Sequence, residues 1–124
     1  MKSILTSALI IASAALFITG CTDMKTPAAA NIAVSKNAID NAAGADATQL
    51  APAEIQSARE KLAKANAAMA NGDYKLANDL ALQAQADAKV AQSKSTSAKS
   101  QAAADALNAD LRVLQDELNR KNSQ

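Results

Sequence analysis

Histidine and tryptophan are absent from this chain of 124 residues, and cysteine occurs once, at Cys21. Without histidine there can be no His-based catalytic triad and no imidazole metal site. Phe17 and Tyr74 are the only aromatic residues, which disfavours a β-sheet, since sheets draw on aromatic and β-branched side chains. Glycine is scarce, and Gly44 and Gly72 stand alone, so no phosphate-cradling loop is present. Carboxylates are scattered singly. The one adjacent pair, Asp116-Glu117, points about 100° apart on a helix and cannot share a proton or a metal. These absences lead us to expect no enzyme, no catalytic or metal site, no cofactor and no small-molecule substrate.

What the chain has in excess is alanine, 33 residues of 124. Alanine is the best helix former, and little glycine or proline interrupts it, so an all-α fold is expected. A length of 124 residues allows one domain.

The first segment reads as a targeting sequence. Lys2 gives a short positive start, and Ile4 to Ile18 is a run of fifteen uncharged residues. As a helix that run would be about 22 Å long, short of the roughly 30 Å hydrocarbon core of a bilayer. A signal peptide over residues 1–20 fits it better than a membrane span. It closes on Ile18-Thr19-Gly20-Cys21. This stretch resembles the lipobox of bacterial lipoproteins. The resemblance implies that the Cys21 thiol takes a diacylglyceryl group, that the chain is cut before Cys21, and that acyl chains then anchor it in a membrane. Lipidation also removes a lone exported thiol, which would otherwise be reactive. Thr22, directly after the cysteine, implies sorting to the periplasmic face of the outer membrane, since lipoproteins of this kind are held in the inner membrane mainly by Asp at that position.

Cleavage removes Lys2 and leaves 12 basic and 12 acidic residues. Zero formal balance excludes nucleic acid as a favoured partner, because binding it needs a basic excess.

Residues 21–27 read as a lipidated tether and 28–121 as an alanine-rich helical domain. Thr26-Pro27 suits a helix start, and Ile32, Ile39 and Ala43 recur at helical spacing, predicting a helix over 28–43 that Gly44 ends. Residues 44–51 read as a linker. Pro52 and Glu54 open a second helix over 52–71, with Ile55, Ala58, Leu62, Ala65 and Met69 on one stripe. Glu60 and Lys64 are spaced to pair on its surface. Asn71-Gly72-Asp73 stops that helix and caps the next, which forces an antiparallel hairpin.

The third helix is predicted over 73–121. Ala77, Ala81, Ala84, Ala88, Ala91, Ser95, Ala98 and Ala102 form a seam of small residues. Residues 93–100 (SKSTSAKS) are poor helix formers and read as a weak point. Beyond them Leu107, Leu111, Leu114 and Leu118 form a stripe turned roughly 100° from the seam. The second helix is too short to reach that stripe. Either the first helix covers it or another chain does, as a coiled coil, and these four leucines are the candidate interface. Asp116 with Arg120 and Glu117 with Lys121 read as surface pairs supporting the helix. The expected fold is an elongated antiparallel hairpin or three-helix arrangement with a long C-terminal helix. Its core is thin, because only 18 residues after the leader are Leu, Ile, Val, Met or Tyr.

Ala51-Pro52-Ala53-Glu54-Ile55, Ala58, Lys61-Leu62, Ala65, Ala68-Met69, Gly72-Asp73-Tyr74, Ala77, Leu80-Ala81, Ala84 and Asp87-Ala88, with Ile39 to Ala43 before them, resemble a family of alanine-rich bacterial lipoproteins of unknown function. The resemblance covers about residues 32–91. Some members resembling this chain carry an OmpA-like, peptidoglycan-binding domain after the helices. This chain ends at Gln124 without one, so no cell-wall role is carried over. The turn Gly72-Asp73-Tyr74 followed by Ala77 also resembles that of a tetratricopeptide hairpin, with no second repeat. Tyr74 then reads as a plug at the hairpin end.

The functional expectation is a lipid-anchored, non-enzymatic structural or protein-interaction module of the cell envelope, with an envelope protein or a second copy as partner. The alternative is an alanine-zipper oligomer similar to murein lipoprotein, linking outer membrane to cell wall. Such proteins end in a lysine joined to peptidoglycan, whereas here Lys121 is followed by Asn122-Ser123-Gln124.

Overall fold

The computed structural model describes residues 24–124. Every regular element among them is a helix: α1 Lys25–Gly44, α2 Ala47–Leu50, α3 Pro52–Ala70 and α4 Tyr74–Asn122. The all-α class and the long C-terminal helix are as the sequence predicts. Two boundaries differ by more than one residue. Helix α1 opens at Lys25, inside the expected tether, and the expected linker folds a helical turn, α2.

The end of α1 does not use Gly44. Asp46 takes the left-handed conformation (φ 66°), and its N–H donates to the Ala43 carbonyl (3.0 Å). Aspartate tolerates that region better than most residues. The α3–α4 joint does use its glycine. Gly72 (φ 78°) donates to Met69 O (3.2 Å), and Asp73 N–H reaches Ala68 O (3.0 Å), the paired hydrogen bonds of a Schellman ending. The Asp73 carboxylate then accepts from Leu76 N–H (3.1 Å), capping α4. One residue therefore closes α3 and opens α4.

Helix α4 is the spine. Ala77, Ala81, Ala84, Ala88, Ala91 and Ser95 are buried along one line. Both α1 and α3 pack on that line, since small residues let three helices approach closely. Ile39, Ala42, Ala47, Ala51, Ile55 and Ala58 meet Ala88 and Ala91 at one end. At the other end Ala28, Ala68 and Ala77 meet beneath half-buried Ile32, Met69 and Tyr74. Tyr74 closes the hairpin end as expected. Cross-helix hydrogen bonds fix the orientation of α1. Asn31 donates to Asn78 (2.7 Å), and buried Ser35 donates to carbonyls of Asn31 and Ala81. Residue numbers rise together in these contacts, so α1 runs parallel to α4, while α3 runs antiparallel to both.

The weak point expected at 93–100 is helical throughout. Ser95 is buried and bonds back to Ala91 O (2.9 Å), and Thr96 bonds to Gln92 O (3.0 Å). Lys94 and Lys99 on the same turns are ion-paired to Glu54 and Asp46. From Thr96 to Gln124 every residue is exposed. Ala98 and Ala102, placed on the seam by their spacing, are past the reach of α1 and α3 and face solvent. The projecting part of α4, Thr96 to Asn122, extends about 40 Å at 1.5 Å per residue.

Candidate interaction surface

Each candidate interface leucine sits on the projecting part of α4. Leu107 is 60% exposed, Leu111 48%, Leu114 55% and Leu118 60%. Helix α1 does not fold over them, because it spends its length on the alanine seam. At 100° per residue the stripe lies about 130° round from the line buried under α1 and α3, further than the roughly 100° expected from the extended seam. The leucines face a side of the helix that the packed part of the molecule does not occupy. Four half-exposed leucines on one face form a contiguous apolar patch, more than scattered surface apolar residues. A shallow open depression there is lined by Leu114, Glu117, Leu118 and Lys121. Glu117 and Lys121 stand 3.4 Å apart as the sequence predicts. Asp116 and Arg120 form no ion pair, and Glu60 accepts from Gln56 Nε2 (3.0 Å) where a pair with Lys64 was expected.

The charged groups paired between helices lie elsewhere, as clasps. Asp87 accepts from Ser57 (2.7 Å) and Lys61 (2.6 Å), joining α3 to α4. Burial pushes the Asp87 carboxyl up. The hydrogen bonds from Lys61 and Ser57 and the Lys61 charge together outweigh it and hold the group below the usual range. Glu54 is likewise held low, chiefly by the hydrogen bond from Lys94. On the outer surface of α4, Asp79 is lowered and Lys75 raised by their mutual hydrogen bond (2.7 Å).

The position of the clasps has a signal in the sequence. Residues facing each other in an antiparallel hairpin have numbers with a constant sum. Glu54 with Lys94, and Lys61 with Asp87, both sum to 148. Buried Ser35 had no such signal, because a serine between Ile32 and Ile39 looks like a surface residue until α4 is laid against it.

Cys21 lies outside the described residues. Among the described residues no grouping of three or more carboxylates or other ligands could hold a metal ion, and no helix is long and apolar enough to cross a membrane.

Residues 30–107, more than half of the chain, match the family model described as Domain of unknown function (DUF4398), and the chain belongs to that family. The match takes in the packed helices and stops at the first leucine of the stripe. No curated protein and no solved structure matches the chain.

Proposed function

We propose that this DUF4398 protein is a lipid-anchored, non-enzymatic spacer of the bacterial cell envelope, tethered through acyl chains on Cys21 and binding protein through the leucine face of α4. One observation carries the reading: the start of α1 and the projecting part of α4 lie at opposite ends of the molecule. Helices α1 and α4 run parallel, so Lys25, close in sequence to Cys21, lies at the end formed by the Gly72 turn. A chain held at Cys21 carries that end toward the membrane and points the leucines away from it. Helix α4 is 49 residues long, about 73 Å, so Leu118 stands on the order of 65 Å from the turn end. That reach suits contact with something beyond the membrane surface.

The leader, the lone cysteine and Thr22 support placement on the periplasmic face of the outer membrane. Zero formal balance after cleavage supports a protein partner over nucleic acid. Several acyl chains, at about 0.8 kcal/mol per buried methylene, are enough for stable retention. The test is intact-mass analysis and membrane fractionation of the chain expressed in a Gram-negative host. The parent is expected in the outer-membrane fraction with residues 1–20 removed and an acylated Cys21. Cys21→Ser is expected to be unacylated and released from the membrane. A parent chain without acyl groups would refute the reading.

A further inference from the structure

Two flanks border the leucine stripe. One carries Ala103, Asp110 and Glu117, and the other carries Gln101, Asn108, Gln115 and Asn122, all exposed. In a two-stranded coiled coil these flanking positions decide orientation. When two identical helices run parallel, the first flank of one meets the second flank of the other. Asp110 then lies by Gln115 and Glu117 by Asn122, acid against amide donor. When they run antiparallel, like flanks meet, and Asp110 of each copy opposes Glu117 of the other. Like charges placed opposite cost stability. The inward line gives the seam itself, and its one charge, Lys121, would face its own copy in a parallel pair, a cost that its intrachain partner offsets. Ala104, Leu107, Leu111, Leu114, Leu118 and Lys121 follow heptad spacing, and Glu117 neutralises the terminal lysine (3.4 Å). The ion pairs that tie α3 and the α1–α2 joint to α4 end at Lys94 and Lys99, short of Leu107, so a second α4 laid along the stripe itself meets neither helix.

We propose that the occupant of the leucine face is a second copy of this chain, parallel and in register. The orientation follows from the flanking charges. It also agrees with the anchoring reading above and rests on it in one respect: two chains held at Cys21 on one surface point their α4 helices the same way. Anchoring raises the effective concentration of the second copy, so a contact too weak to persist between free chains forms on the membrane.

Ala104→Cys and Lys121→Cys separate the arrangements. They lie about 25 Å apart along α4. In a parallel pair each residue faces itself. In an antiparallel pair Ala104 faces Lys121, because their numbers are symmetric about the centre of the leucine stripe. Each variant of the full-length chain is expressed singly and together in the envelope and treated with a mild thiol oxidant. Proximity predicts a cross-linked dimer from each variant alone, absent from the parent and lost when Leu114→Asp is added. A dimer formed only on co-expression would overturn the parallel register. No cross-link in any combination, or cross-links only to other proteins, would overturn the second copy as occupant. Both positions are exposed, so circular dichroism of the variants is expected to match the parent. Intact mass of the same samples reports acylation of Cys21 separately. Loss of acylation with the cross-links intact would refute the anchor and leave the pair standing.

Discussion

Replacing Ala88 with leucine tests the packing directly. Ala88 is fully buried, with Ala42 and Ile39 of α1 on one side and Ala58 of α3 on the other. A leucine adds three carbons at the point where three helices converge, and the added bulk must push a helix outward or adopt a strained rotamer. Overpacking of this kind costs about 1–3 kcal/mol. Domains of this size are stable by about 5–15 kcal/mol, and an alanine-built core places this one toward the lower end. At about 4–8 °C per kcal/mol, a cost of ~2 kcal/mol lowers Tm by roughly 10 °C. Ala106→Leu is the matched control: the same substitution, on the same helix and the same line extended, at an exposed position. Its effect is expected within about 0.5 kcal/mol. Urea unfolding followed by circular dichroism reads both. An unchanged or raised midpoint for Ala88→Leu would refute the closure of the seam by α1 and α3. A loss as large for Ala106→Leu would mean that the projecting helix is packed against something.

Three further outcomes are expected. Asp87 has a folded pKa below its unfolded value, so its contribution is present above about pH 4 and is lost as pH falls through the folded value. Urea midpoints are expected to fall on acidification below about pH 5, and less steeply in Asp87→Asn, so parallel profiles for the two would remove the clasp as the cause. Gly72→Ala is expected to cost roughly 1 kcal/mol through the positive φ alone, because no atom lies within 4 Å of the added methyl group; a neutral result by urea denaturation would contradict the left-handed turn. Leu111→Asp removes a side chain that is 48% exposed, so about 1 kcal/mol of burial is lost per copy. For two copies that is about 2 kcal/mol, or roughly thirtyfold in the self-association constant. An unchanged sedimentation equilibrium profile of the full-length chain in detergent would refute the stripe as an interface.

Periodicity made the hairpin and the seam legible. The repeat of small residues from Ala77 to Ser95 requires a helix with something close beside it, and Gly72-Asp73 permits only a tight reversal. What periodicity could not convey was where the cover stops. Ala98 and Ala102 continue the seam by spacing and are exposed, because burial there depends on the lengths of α1 and α3. The polar run at 93–100 misled for the opposite reason. Its serines are weak helix formers in isolation, yet the buried hydroxyl of Ser95 is satisfied within its own helix, and Lys94 and Lys99 are tied to neighbouring elements. Tertiary contacts there override local propensity. The leucine stripe was visible from its spacing, and its exposure became a fact only when α1 was found on another face.

The clasped root of α4 has a kinetic and dynamic meaning. Starting a helix in water is the costly step, since several dihedrals must be fixed for one hydrogen bond, whereas lengthening it is nearly free. Here the turns around Ala91 and Ser95 are held by α3, Glu54 and Asp46, and they serve as a permanent nucleus. The segment beyond Thr96 only has to propagate from that nucleus, and its alanines and leucines do so readily. In a chain whose leucine face is unpaired, the order of this segment is therefore graded. Amide exchange is expected to quicken steadily from Ser97 toward Asn122, with the protein breathing from its tip inward, in place of a single cooperative opening.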